Sequence, residues 1–176
     1  GYYFQFGKIT TTAEPLNNFV TTANYFNNPP DNAWNIGTET APVKNVLYDP
    51  CPFAFRMPVK ADYDTLLAGT TESNIGTLNT SATNYTRAKV YTSIRKNGNI
   101  RLTFPAQGYF GTAGGGLPTT ISGITNRGSN GYYWIGTVTN ARPWYFTFNS
   151  TTSSVVNQAA YGANKAEVYS VRCVAE

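Results

Sequence analysis

The sequence predicts a β-rich domain with one helix, over about residues 60–68, and long loops. Three observations predict it. Aromatic residues make up 15% of the 176, with thirteen tyrosines and ten phenylalanines, while charged residues make up only 12%. Disordered chains show the reverse, few aromatics and many charges. Short runs of β-favouring side chains alternate with clusters of Asn, Thr, Ser and Gly, which is the pattern of strands and turns. One segment alone carries the spacing and end signals of a helix. The length suits a single domain, residues 1–176, with one hydrophobic core.

The elements follow in chain order. Gly1 to Ile9 alternates and breaks at Gly7, as an edge strand would. Thr10 to Asp49 is a long Asn-, Thr- and Pro-rich excursion with Trp34 as its anchor. Asp49-Pro50-Cys51-Pro52 is stiff, because two prolines fix φ on either side of the cysteine. Lys60 to Ala68 is the helix. Pro58 precedes it, Asp62 and Asp64 lie in its early turns, and Gly69 stands at the C-cap position. Tyr63, Leu66 and Leu67 share its core face. Residues 70–86 read as polar and irregular. Arg87 to Arg95 is a strand, and Asn97-Gly98 is the strongest hairpin signal in the chain. In its partner, Asn99 to Phe104, Ile100, Leu102 and Phe104 are expected to face inward. A loop around Gly114-Gly115-Gly116 follows. Further strands are expected through Tyr132 to Ile135, Trp144 to Phe148 and Val168 to Val174.

Several chemistries find no residues to carry them. With no histidine, the usual Ser-His-Asp and Cys-His arrangements are missing. Gly111 to Gly116 lacks the Lys-Ser/Thr of a phosphate loop, and no Asp-x-Asp-x-Asp-Gly pattern offers a calcium site. Asp62 and Asp64, two apart on a helix, do not face each other. We therefore expect no enzyme, no metal and no cofactor. The net charge of +4 comes from scattered cations, without the basic run of a nucleic-acid-binding surface. No apolar stretch approaches the ~20 residues of a membrane-spanning helix. A start at Gly1 reads as a piece of a longer or processed protein. Cys51 and Cys173 are either a disulfide, which would place the domain in an oxidising compartment, or two buried thiols.

Five motifs in order carry a resemblance. They are Gly1-Tyr2-Tyr3-Phe4-Gln5-Phe6-Gly7-Lys8, Asp49-Pro50-Cys51-Pro52 with Arg56-Met57-Pro58, Phe104-Pro105-Ala106-Gln107-Gly108-Tyr109, Gly131-Tyr132-Tyr133-Trp134, and Ser170-Val171-Arg172-Cys173-Val174. Together they resemble the Fibrobacter succinogenes major paralogous domain family of bacterial surface proteins, itself similar to C-type lectin-like folds. The resemblance implies an α+β domain whose chain ends meet, with a twisted antiparallel sheet under long loops. It also implies that Cys51 and Cys173 pair, and that Arg56 and Arg172 beside them are partly buried structural residues. The calcium-dependent sugar motifs of lectins are not matched, nor are the catalytic cysteines of the related formylglycine-generating enzymes.

The closing segment, about residues 133–170, is similar to the variable regions of retroelement-diversified proteins. In that reading Trp134, Phe146, Phe148 and Val171 hold the core, while Asn140, Arg142, Tyr145, Asn157, Tyr161, Asn164 and Tyr169 form the displayed binding surface. Tyr and Trp offer contact area at low entropic cost, and Ser, Gly and Asn offer adaptable hydrogen bonds. The expected function is an extracellular, cell-surface or pilus-associated adhesion module for a glycan or protein. The alternatives are an assembly domain without its own ligand, and an enzyme of the formylglycine-generating type.

Overall fold

β-Favouring aromatic runs supply the framework of the domain. A computed structural model describes residues 2–11, 29–81, 86–95, 99–111, 124–157 and 165–176. Five strands form the main sheet: β1 (Tyr3–Gln5), β6 (Gly131–Thr139), β7 (Arg142–Phe148), β8 (Ser153–Asn157) and β9 (Val168–Ser170), in the order β1-β9-β6-β7-β8. Its pairings are antiparallel except β6 with β9, which run parallel. A three-stranded sheet has the order β3 (Thr70–Ile75), β4 (Ala88–Ser93), β5 (Arg101–Pro105). A short pair joins β2 (Phe55–Arg56) to β10 (Val174–Ala175). The helix α1 covers Lys60–Ala68, the predicted span.

The two-residue period of a strand sends alternate side chains to opposite faces, and the main sheet buries aromatics on both. On one face Tyr133, Ile135, Phe146 and Phe148 pack with Tyr63 of α1 and with Tyr91 and Phe104 of the small sheet. Tyr63 stacks on Phe146, ring centroids 4.4 Å apart, and Leu66 and Leu67 flank it as expected. On the other face Trp134, Tyr145 and Tyr169 pack against Phe6, Trp34, Cys51 and Met57. Trp34 thus anchors the described part of its excursion, residues 29–49, while residues 12–28 lie outside the described residues; Trp134 donates its indole N–H to Phe4 O at 2.8 Å.

Local polar contacts fix how α1 docks. Asp62 accepts from the Val59 N–H at 2.8 Å and pairs with Arg56 at 2.7 Å, which ties the helix start to β2. The β6–β7 register shifts between Trp134 and Val138. Such a bulge re-aims backbone groups: Gly136 N–H donates to Pro58 O at 2.8 Å, and Thr137 Oγ1 accepts from Lys60 N–H at 2.9 Å. Asp49 is buried and accepts from the Cys51 and Met57 N–H groups at 2.7 and 2.8 Å, bracing the stiff Pro-Cys-Pro turn. Cys51 and Cys173 are joined, with Cα atoms 5.7 Å apart. The first strand and the penultimate one are neighbours, so the two ends of the chain meet.

Three expectations need correction. β3 and β8 lie where no strand was expected, because Thr-Glu-Ser-Asn-Ile and Ser-Ser-Val-Val-Asn are polar strands at sheet edges, where no inward face demands alternation. Ile100 and Leu102 are 53% and 39% exposed, and in that run only Phe104 enters the core. The reason is that β5 is the edge strand of the small sheet, where Leu102 borders an open groove instead of the core. The expected strand over Val168 to Val174 divides at residues 171–173 into β9 and β10, which join different sheets. Gly69 caps α1 as expected, with φ −101°, and its N–H reaches Thr65 O and Leu66 O. Asn97-Gly98 and Gly114 to Gly116 lie outside the described residues, although β4 and β5 do pair antiparallel on either side of the first.

Candidate functional site

Asn140 and Ala141 connect β6 to β7, with φ of +53° and +61°. Two consecutive positive φ values define the turn that matches strand twist in a tight hairpin, and Asn tolerates that conformation well. The turn carries Asn140 and Arg142, both exposed, to one end of the main sheet. Asn157, half-buried, ends β8 at that same end, opposite Trp144 of β7. Three of the predicted display residues are thereby brought together on a rigid scaffold.

Their surroundings include features that the sequence did not reveal. Trp144 is half-buried beside them; its indole donates to Thr139 Oγ1 at 3.0 Å, and Lys60 Nζ lies 5.4 Å from its ring. Sequence reading took Trp144 as an ordinary strand residue, since periodicity does not separate a core aromatic from one at a rim. Next to the hairpin is a polar hollow of about 350 Å³, lined by Asp31, Asn35, Thr38, Glu39, Thr137 and Thr139 among others. Asn35 Oδ1 accepts from Gly37 N–H and Val43 N–H, both at 2.9 Å, which holds that loop in shape. Lys165 pairs with Asp31 and donates to Pro29 O at 2.6 Å, fastening the two segments together here.

Tyr145 and Tyr169 are not display residues. They are 7% and 3% exposed and belong to the aromatic layer beneath the sheet. Tyr169 stacks on Trp134 at 4.2 Å and meets Tyr145 at 5.3 Å and Tyr132 at 5.5 Å. The error has a simple cause: tyrosine is amphipathic, and a Tyr-rich segment serves a core as readily as a contact surface. Tyr161 and Asn164 lie outside the described residues. Trp134, Phe146 and Phe148 are buried and Val171 is half-buried, as a framework requires. Arg56 is half-buried on Asp62, and Arg172 sits over the Phe104 ring at 4.5 Å, both in structural roles.

Burial sets the ionisation of the tyrosines. It raises the phenols of Tyr63, Tyr91 and Tyr133 far above their ordinary value. It also raises Tyr109 and Tyr132, where the Glu167 carboxylate pushes in the same direction. A folded-state value above the unfolded one means stability that is complete below about pH 10 and lost as pH rises beyond it. The share of the phenolate absorbance that belongs to these five tyrosines should therefore stay absent above pH 10 in the native domain and appear in one cooperative step coincident with unfolding. Gradual, independent titration of all tyrosines in a folded domain would contradict this burial.

Both cysteines are consumed by the disulfide. Among the described residues no group of three or more His, Cys, Asp or Glu side chains could hold a metal ion, and no helix is long and apolar enough to cross a membrane. Comparison with known proteins finds no family model, no curated protein and no solved structure that matches the chain.

Proposed function

We propose that the domain is an extracellular ligand-binding or adhesion module of C-type lectin-like architecture, which holds a glycan or protein partner on the surface of residues 133–170. The observation that carries this reading is the convergence of Asn140, Arg142 and Asn157 at one end of a sheet whose two faces are both buried. A sheet anchored in this way leaves its hairpin tip rigid in position and free in sequence, which suits recognition. The meeting of the chain ends, the one helix among the described residues, the long loop between β1 and β2 and the disulfide between Cys51 and Cys173 support the lectin-like architecture.

The test is a glycan and protein array probed with the native domain, followed by titration of any ligand against Arg142→Glu and Asn140→Ala. Both residues are exposed, and alanine at the positive φ of residue 140 costs only about 1 kcal/mol, so both variants should fold. Arg142→Glu should weaken binding at least about tenfold, equivalent to ~1.4 kcal/mol. Ligands that bind both variants as tightly as the native domain would move recognition to another surface.

A further inference from the structure

β5 is an edge strand, with no strand beside its outer side among the described residues. The direction of its backbone groups follows from its pairing. Ser93 N–H donates to Ile100 O at 2.9 Å and Ala106 N–H to Arg87 O at 2.8 Å, so residues 100, 102, 104 and 106 turn their backbone groups toward β4. Alternate residues of an antiparallel ladder turn the other way. Arg101 and Thr103 therefore aim their N–H and C=O groups outward. Arg172 donates to Thr103 O at 2.6 Å, no described strand lies beside the Arg101 N–H and C=O or the Thr103 N–H, and an open groove borders the Leu102 side of the strand.

That groove, of about 780 Å³, lies between β5, α1 and the segment 172–175. Leu66, Leu102, Phe104 and Val174 give it apolar walls, with Arg95 and Arg172 also among its lining residues. Leu102 and Phe104 share one side of β5, while Arg101, on the other side, is exposed. The ion pairs among the described residues involve other cations, which leaves Arg95 and Arg101 uncompensated there. Asp62, the acidic residue lining the groove, is already committed to Arg56.

An open strand edge, an apolar channel along its inner side and uncompensated arginines specify an occupant. We propose that β5 receives an extended peptide strand in which apolar and acidic side chains alternate. The added strand would pair with the outward N–H and C=O of Arg101 and the N–H of Thr103 by β-augmentation, Thr103 O being held by Arg172. Its apolar side chains would enter the channel beside Leu102. Its carboxylates, on the opposite side, would lie across from Arg101, where opposite charges stabilise a cross-strand pair. Exposed edges are commonly blunted by Lys, Pro or bulges; β5 carries Pro105 at its far end, but its first half places exposed Ile100 and Leu102 at the edge. This surface is separate from the hairpin tip and does not depend on the recognition proposed for it.

The experiment uses a fluorescently labelled synthetic peptide alternating valine and aspartate, titrated by anisotropy against the native domain. A matched peptide with lysine for aspartate is the control. The acidic peptide should bind saturably and the basic one at least about fivefold more weakly, the scale of a cross-strand charge pair. Arg101→Glu should reverse that preference, and Leu102→Asp should weaken the acidic peptide about tenfold or more. Thr103→Pro should abolish binding by removing an outward N–H at a position where an edge strand accommodates proline. Circular dichroism establishes that each variant is folded. If Leu102→Asp or Thr103→Pro is not, the reversal by Arg101→Glu alone decides. Absence of saturable binding, equal affinity for both peptides, or an unchanged preference in Arg101→Glu would overturn the proposal. So would concentration-dependent self-association of the native domain that Leu102→Asp abolishes, since the occupant would then be a second copy of the chain.

Discussion

Replacing Cys51 and Cys173 together with serine is expected to lower the unfolding free energy by about 5 kcal/mol, the chain-entropy value for a loop of this size. The link spans 122 residues, so its loss frees most of the denatured chain to expand. Domains of this kind have only about 5–15 kcal/mol in total, and the change should thus bring the variant near its limit of folding. The native state offers little to compensate. β2 and β10 pair over two residues each, and Cys51 packs against Trp34 and Met57 in the layer under the sheet. Urea unfolding with and without reductant should show the midpoint fall, with a steeper slope because the opened chain exposes more surface. A loss below about 1 kcal/mol would mean that the denatured chain stays compact without the bridge.

Trp134→Ala should cost nearly as much, about 5 kcal/mol, for separable reasons. Trp134 is fully buried at the centre of β6, in ring contact with Phe6, Trp34 and Tyr169. Truncating a buried Trp or Phe to Ala typically costs about 3–5 kcal/mol through lost transfer energy and the cavity left behind. The variant also leaves Phe4 O without its indole donor, at roughly 1–3 kcal/mol. Trp134→Phe restores much of the volume but not the donor, so about 2 kcal/mol of loss should remain. Thermal and denaturant unfolding of both variants measure the division. Equal losses would show that the hydrogen bond, not the packing, dominates.

The sequence was legible where residue type and position demanded one structure. Lys60–Ala68 could be placed because Asp62, the apolar face and Gly69 all agreed, and the core strands through Tyr133-Trp134 and Phe146 because both faces needed aromatics. Polar edge strands such as Thr70–Ile75 left no trace, since their side chains answer to solvent and only their backbone to the sheet. The same ambiguity governs the site. Asn140 and Arg142 were found because polar residues at a turn have few places to go but outward. Tyr145 and Tyr169 were misplaced because a phenol ring is equally at home in either setting. Whether β5 ended in the core or at an edge depended on which strand lay beside it, and that is a long-range property no local pattern of Ile100, Leu102 and Phe104 contains.

The covalent tie between Cys51 and Cys173 also sets the mechanical behaviour of the domain when it is held by its two ends. Tension reaches the pair of Tyr3 with Ser170 from one end and the short β2–β10 pair from the other, and the β1–β9 hydrogen bonds break in succession. Once β1 peels away, only the first fifty residues can lengthen, to about 170 Å at full extension. The remaining body stays shut behind the bridge, and the extension of a whole unlinked chain, roughly 600 Å, is out of reach while the sulfurs remain joined.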